Sequence, residues 1–314
     1  MTGRGESGPG APGKGHVVIV GATASGKSDL AMALARRHGE IELISMDSMQ
    51  VYAGMDIGTA KPTPAERAEV RHHLLDVVDP AEEYSVSRFQ ADVAAALADI
   101  EGRGGRAVLV GGTGLYVQAV VDDLTIPGRY PEVRAELEAE PETDALHRRL
   151  VELDPVAAAR MEPSNRRRIV RALEVTLGSG RPFSSFGPGL EAHPPTPFRM
   201  VGIDRPRPVL DDRIARRLQA QLDVGFLAEV DALRRRPAGL SRTARQALGY
   251  RELLDHLEGR CSRDEAVETI LTRSRRLARR QQRWFRRDPR IHWFEPTDDT
   301  DQNRVVVPPR LLGD

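Results

Sequence analysis

His16-Val17-Val18-Ile19-Val20-Gly21-Ala22-Thr23-Ala24-Ser25-Gly26-Lys27-Ser28 decides the fold. Its first five residues read as a short buried strand. The next eight spell G-x-x-x-x-G-K-[ST], a phosphate-binding loop that joins a strand to a helix. Beyond the loop, Leu30, Ala31, Leu34 and Ala35 recur at the i, i+3, i+4 spacing of a helix packed on a sheet. The glycines let backbone N–H groups turn inward around phosphate oxygens, and the helix N-terminus adds partial positive charge. Lys27 supplies a point charge for the terminal phosphates, and the Ser28 hydroxyl suits Mg²⁺. Only Lys14, Lys27 and Lys61 among the 46 basic residues are lysines, so a lysine kept in this loop is pointed. A phosphorylated ligand is expected here, with its identity and fate left open by the loop alone.

The chain has 314 residues, enough for about two domains with separate cores. Its 40% hydrophobic and 4% aromatic content fits a globular protein with an aliphatic core. Cys261 is the single cysteine, so no disulfide framework exists within one chain, and no Cys/His spacing resembles a zinc site. His72 and His73 are adjacent and would point to opposite faces of a strand rather than share a metal. No apolar run approaches the roughly 20 residues needed to span a membrane. Residues 1–14 are Gly/Pro-rich without an apolar segment and read as a disordered tail rather than a signal peptide, which makes the cytoplasm the expected compartment. Net charge is zero, yet it is unevenly spread. Between Leu271 and Arg290 nine arginines face one acid, Asp288, and Arg166, Arg167, Arg168 and Arg171 form a second cluster. Two basic patches on a neutral chain suggest a specific polyanion footprint.

Further strands are expected at Glu42–Met46, Leu74–Val78 and Ala107–Val110, with an amphipathic helix from Ser87 to Ile100. Strands alternating with helices, nearly all apolar, predict a parallel α/β sheet covered on both faces, a P-loop NTPase-like core. Ligands of such sheets sit at the carboxyl ends of the strands, which places the phosphate loop, Asp47 and Thr113 along one crevice. From 123 to 208 strand runs disappear, helical segments are broken by prolines, and Pro194, Pro195, Pro197, Pro206 and Pro208 mark a re-entry. The expected layout is a core over 15–122 and 209–295, a helical insertion over 123–208, and a tail over 296–314. Within the core, Ile270, Leu277, Trp284 and Leu271, Ala278, Phe285 step by seven along a long C-terminal helix whose arginines crowd its other faces.

With these motifs in hand, the chain resembles the tRNA dimethylallyltransferase family in its bacterial form. The resemblance rests on Gly21–Ser28, Asp47-Ser48-Met49-Gln50-Val51-Tyr52, Met55-Asp56-Ile57-Gly58-Thr59-Ala60-Lys61-Pro62 and His73-Leu74-Leu75-Asp76. It continues through Val110–Tyr116, Asp154–Arg160, Arg171–Val175, Gly249-Tyr250-Arg251 and Gln281–Phe285, covering about residues 15 to 295. It implies transfer of a dimethylallyl group from dimethylallyl diphosphate to N6 of the adenosine adjacent to the anticodon, position 37, with Mg²⁺. The expected partners are the tRNA anticodon stem-loop and the allylic diphosphate, with no membrane and a monomeric enzyme.

The resemblance implies that the loop, with Lys27, holds the diphosphate, and that Arg217, with Arg213 a turn before it, approaches the same group. Asp47 becomes the general base for the adenine amino group. From the residues alone it is equally a helix N-cap or a second Mg²⁺ ligand. Thr113 is implied to contact the tRNA or the reacting adenine, and it is also placed to N-cap the following helix. Asp47, Ser48, Met49 and Gln50 are implied to contact tRNA, as are Arg134, Arg167, Arg168, Arg171, Gln246, Gly249, Tyr250 and Arg251. Packing of Trp284 and Phe285 in the core is favoured over base stacking, with the neighbouring arginines contacting phosphates. A small-molecule kinase shares the loop and layout but would transfer phosphate from ATP and needs no arginine patches. An adenylate isopentenyltransferase needs none either. An RNA-binding NTPase would have no use for Asp47 as a base.

Overall fold

The computed structural model describes residues 15–296, together with the backbone of a two-stranded pair, Asp298–Asp299 and Arg304–Val305. The tails expected over 1–14 and 296–314 therefore lie, apart from Pro296 and that pair, outside the described residues. In chain order the first half of the core runs β1 (Val17–Gly21), α1 (Lys27–Arg37), β2 (Ile41–Ser45), α2 (Pro64–Glu69), β3 (His72–His73), α3 (Val86–Gly102), β4 (Arg106–Gly111) and α4 (Gly114–Val121). Four helices follow, α5 (Pro131–Ala139), α6 (Thr143–Leu153), α7 (Pro155–Ala159) and α8 (Arg166–Ser179). The chain then returns through β5 (Arg199–Ile203), α9 (Arg207–Asp223), α10 (Phe226–Arg234), α11 (Arg242–Arg245), α12 (Tyr250–Leu257), α13 (Arg263–Phe285) and β6 (His292–Phe294).

The sheet is six-stranded in the order β3-β2-β4-β1-β5-β6, and every pairing is parallel. β1 lies between β4 and β5 and is buried along its whole length. Its alternation divides the core, as period two requires. Val17 and Ile19 join Leu30, Ala31, Leu34 and Ala35 of α1 on one face. Val18 and Val20 join Phe89, Val93 and Ile100 of α3, with Tyr250, Ile270 and Phe285, on the other. A sheet buried on both faces reads as continuous apolar runs, and each fully buried aliphatic or aromatic side chain contributes roughly 1.5–3 kcal/mol.

Two expectations differ from what is seen. The third strand is His72–His73, not Leu74–Val78, because Leu74 (φ 62°) and Asp76 (φ 57°) occupy left-handed backbone conformations that no strand accommodates. His72 and His73 do face different partners, Val70 O and Glu42 respectively. The helical unit spans Asp122–Pro194, so the core resumes at Pro195 rather than at Val209. The residues in between hold β5, a strand paired directly to β1. Gly202 inside β5 is there because Ile291 and Trp293 lie on it, and a Cβ would meet Trp293 at 2.6 Å.

The helical unit has its own core of Leu137, Leu146, Leu150, Ile169, Val170 and Leu173. Asp154 caps α7 through the Ala157 amide (3.0 Å) and also accepts from the amide and hydroxyl of Ser184. Asn165 caps α8 at the Arg168 amide. Glu174, with a side chain 2% exposed, accepts from the Tyr130 amide (2.9 Å), Arg171 (2.8 Å) and Arg134 (3.3 Å). A buried carboxylate is tolerable only when so saturated.

Candidate active site

The phosphate loop presents donors because its acceptors are already taken. Lys27 Nζ donates to Ala22 O (2.6 Å), Arg213 Nε to Ala24 O (2.8 Å) and buried Arg205 Nε to Ser25 O (2.7 Å). Ala24 (φ 62°) and Gly26 (φ 96°) adopt the left-handed backbone that makes this turn. Gln281 of α13 accepts from the Thr23 amide at 2.8 Å. No hydrogen bond among the described residues uses the amides of Ala24, Gly26, Lys27 or Ser28. The result is a nest of free N–H groups at the start of α1, where the helix dipole also favours an anion. The Ser25 hydroxyl is buried there without a partner.

These groups line a cleft of about 550 Å³ that also takes in Asp47, Gln50, Thr59 to Pro62, Gly111, Gly112, Arg213 and Arg217. Burial, reinforced by the like charge of Arg217, pushes the Lys27 ammonium down to about 8, against the pull of Asp47 and Asp29. Burial likewise lowers Arg217, opposed by the same two carboxylates. Two enclosed cations at a nest of free amides form a site that an anion would suit. Ser28 and Asp47 are among the oxygen donors lining this cleft, with the carboxylates of Asp29 and Glu66. Among the described residues no cluster of three or more acidic, His or Cys side chains exists for one. That donor set fits Mg²⁺, which takes one or two protein oxygens and fills its shell with phosphate and water.

Asp47 follows β2, and its Oδ1 accepts from the Met49 amide (2.8 Å), closing a tight turn. A turn rather than a helix follows, so the N-cap alternative does not apply. Oδ2 takes no hydrogen bond among the described residues and is left for the cleft. Thr113 sits beside this turn: its Oγ1 is 3.5 Å from both the amide and the hydroxyl of Ser48. Its carbonyl accepts from the Tyr116 and Val117 amides as α4 begins.

Comparison with known proteins decides the family. The IPP transferase family pattern matches residues 50–288, and an isopentenyl transferase pattern matches residues 15–82. The tRNA dimethylallyltransferase of Kineococcus radiotolerans is 52% identical over 293 residues, covering 91% of this chain and 92% of its own. The chain belongs to the tRNA dimethylallyltransferase family. Among solved structures, a tRNA isopentenylpyrophosphate transferase from Bacillus halodurans is 40% identical with a TM-score of 0.65, covering 90% of each chain. A eukaryotic dimethylallyltransferase acting on tRNA is 28% identical with a TM-score of 0.76, over 93% of this chain and 76% of its own.

Within this member of the tRNA dimethylallyltransferases, the Asp47–Pro62 segment is a cross-braced platform. Gln50 accepts from Ser45 Oγ (2.7 Å) and donates to the Thr59 and Ala60 carbonyls. Lys61, its side chain 1% exposed, donates to Tyr52 O (2.5 Å), Asp56 (2.7 Å) and Asp76 (2.5 Å). Glu229 of α10 accepts from the amides of Asp56, Ile57 and Gly58 and from the Tyr250 hydroxyl (2.6 Å).

The residues expected at tRNA divide by burial. Arg167 and Arg168 are exposed, as are Gln246 and Arg251. Arg134 and Arg171 are committed to Glu174, and Arg171 also to Pro127 O (2.8 Å). Tyr250 is 1% exposed and its hydroxyl braces the platform through Glu229, while buried Gly249 opens α12 with its amide donating to Glu252 (2.8 Å). Gln50 spends its amide inside the platform, and Met49 packs against the core. On α13, Arg273 pairs with Glu252, while Arg286 reaches Asp204 and Arg290 Asp288. Arg276, Arg279, Arg280 and Arg283 form no ion pair among the described residues. Phe285 is buried and Trp284 packs at Gly114, where a Cβ would overlap its ring, so both serve packing. Sequence reading missed Gln281, Arg205 and Glu229 as site-building residues. For Gln281 the only signal was two amides, Gln281-Gln282, interrupting an arginine run.

Proposed function

We propose that this chain transfers the dimethylallyl group of dimethylallyl diphosphate to N6 of the adenosine adjacent to the anticodon, position 37, in tRNA. The observation carrying this reading is that free loop amides with Lys27 and Arg217 share one cleft with the uncommitted oxygen of Asp47. Diphosphate bound at Ala24–Ser28 meets amides and cations that strengthen their hold as the C–O bond breaks and negative charge gathers on the leaving oxygens. The allylic carbon shares the developing positive charge. The adenine amino nitrogen forms the new C–N bond and gives up a proton to Asp47 Oδ2. Mg²⁺, held by the Ser28 hydroxyl and diphosphate oxygens, would neutralise leaving-group charge. Asp47 as its second ligand is the competing role.

The target base lies in a stacked loop and must be extruded to reach the cleft. Arg276, Arg279, Arg280 and Arg283, with Arg167 and Arg168, are the cations available to position the anticodon stem-loop through its phosphates. Acting on tRNA, the enzyme would work in the cytoplasm, and a monomer would suffice for a cleft lined by one chain. Mass spectrometry of unmodified tRNA incubated with enzyme, Mg²⁺ and dimethylallyl diphosphate tests the proposal. A gain of one dimethylallyl unit on the adenosine beside the anticodon is expected. Phosphate transfer from ATP to a small molecule, without tRNA modification, would favour the kinase reading.

A further inference from the structure

Gln281 makes two hydrogen bonds that no packing role requires. Its Oε1 accepts from the Thr23 amide at 2.8 Å, and its Nε2 donates to Gly112 O at 2.9 Å. The first fixes the phosphate loop. The second fixes the end of β4, one residue before Thr113, whose hydroxyl stands beside Ser48 in the turn closed by Asp47. The fit is tight, since a Cβ on Gly112 would lie 2.5 Å from Nε2. The Thr23 amide is distinct from the uncommitted amides of Ala24, Gly26, Lys27 and Ser28, so holding it costs the anion site no donor.

We infer that Gln281 is a positioning residue for the reaction, fastening the diphosphate loop to the strand end that supports the base, so that leaving group and proton acceptor keep one spacing. The residue acts through Thr23 and Gly112 and need not touch substrate. It comes from α13, the helix that carries exposed Arg276, Arg280 and Arg283 and half-buried Arg279. Anything that seats α13 thereby seats the loop. This inference rests on the proposed prenyl transfer for its rate measurements and on geometry alone for its binding measurement.

Gln281→Met keeps the length and removes both hydrogen bonds. Inorganic diphosphate affinity should fall about tenfold, and the single-turnover prenyl-transfer rate about 10- to 100-fold, the consequence of losing one or two hydrogen bonds at a preorganised site. Affinity for tRNA should stay within about twofold. Gln281→Glu supplies a readout that structural filling would not move. Protonated, Glu mimics Gln, its carbonyl accepting from Thr23 and its hydroxyl donating to Gly112 O. Ionised, it sets a carboxylate against that carbonyl oxygen, which raises its pKa. Its rate, divided by the wild-type rate at each pH so that Lys27, Arg217, Arg213 and Asp47 cancel, should therefore climb about tenfold from pH 8.5 to pH 6. A flat ratio would overturn the inference, as would full diphosphate affinity and rate per folded molecule in Gln281→Met. If Gln281→Met fails to fold, the Gln281→Glu ratio decides alone. Absence of prenyl transfer in the wild type would instead strike the proposed function, leaving the diphosphate measurement to judge Gln281.

Discussion

Replacing Lys27 with methionine should stabilise the protein while abolishing its turnover. The ammonium is held in the cleft beside Arg217, and its pKa falls from 10.5 to about 8. At about 1.36 kcal/mol per unit, that shift is a penalty of about 3 kcal/mol on the folded state, an upper bound because the cleft admits water. Loss of the bond to Ala22 O returns about 1 kcal/mol, for a net gain of about 2 kcal/mol at pH 7. The sign follows from the protons. Below pH 8 the folded and unfolded chains both carry the charge, and the penalty is complete. Between pH 8 and 10.5 the unfolded chain binds the extra proton, so wild-type stability rises with pH and the variant's advantage shrinks toward zero. Urea unfolding of both proteins at pH 7 and 9.5 measures this directly. A variant less stable than wild type at pH 7, or a difference indifferent to pH, would refute the electrostatic account. Turnover should vanish with tRNA affinity nearly intact, because Lys27 belongs to the proposed diphosphate site.

Asp47→Asn should lower the single-turnover rate roughly 10²–10⁴-fold with little change in either substrate's affinity; recovery on raising Mg²⁺ would reassign Asp47 to the metal. Lys61→Met removes the Lys61 donor from the Tyr52 carbonyl and takes from Asp76 one of two cationic partners, Arg67 remaining, and should cost about 1–3 kcal/mol in urea unfolding. Burial pushes Asp76 up, but hydrogen bonds from Lys61 and Arg67 outweigh it and hold its carboxyl below 3.8. The wild type should accordingly lose stability as pH falls below about 4, and Lys61→Met should lose less, which an acid titration of both will show. Arg167→Ala with Arg168→Ala should reduce the slope of log affinity for tRNA against log salt by about two units without lowering the melting temperature. Arg171→Ala should do the reverse, lowering stability through Glu174 and leaving the slope unchanged.

The first half of the core was legible because its signals are local. The β1–loop–α1 unit, β2 and β4 are apolar runs ending in glycine or a short polar residue, and α3 carries a regular stripe. β5 was not legible. Arg-Met-Val-Gly-Ile follows a proline cluster and contains a glycine, and the need for that glycine lies in Ile291 and Trp293, far along the chain. β6 is too short to show a period. Leu74–Val78 looked like a strand because its apolar content hides the left-handed turns at Leu74 and Asp76. Site residues followed the same division. Lys27, Ser28 and Asp47 stand in motifs whose chemistry can be read directly. Tyr250 stands in one too, yet motif membership does not distinguish a ligand contact from a brace, and only burial showed that it supports Glu229.

The hydrogen bond from Thr23 to Gln281 joins residues 258 positions apart. During synthesis the anion loop leaves the ribosome well before α13, the helix whose side chain fastens it. β5, which flanks β1, also arrives later, so the loop's strand gains its first sheet neighbour with β4 and its second only with β5. The Lys61 brace, by contrast, closes between Tyr52 and Asp76 and can form as soon as that short segment has emerged. The segment after Asp47 thus gains its Lys61 brace early, and the phosphate loop gains its Gln281 bond late. Competence therefore requires α13, and a chain terminated before that helix would carry the motif without the activity.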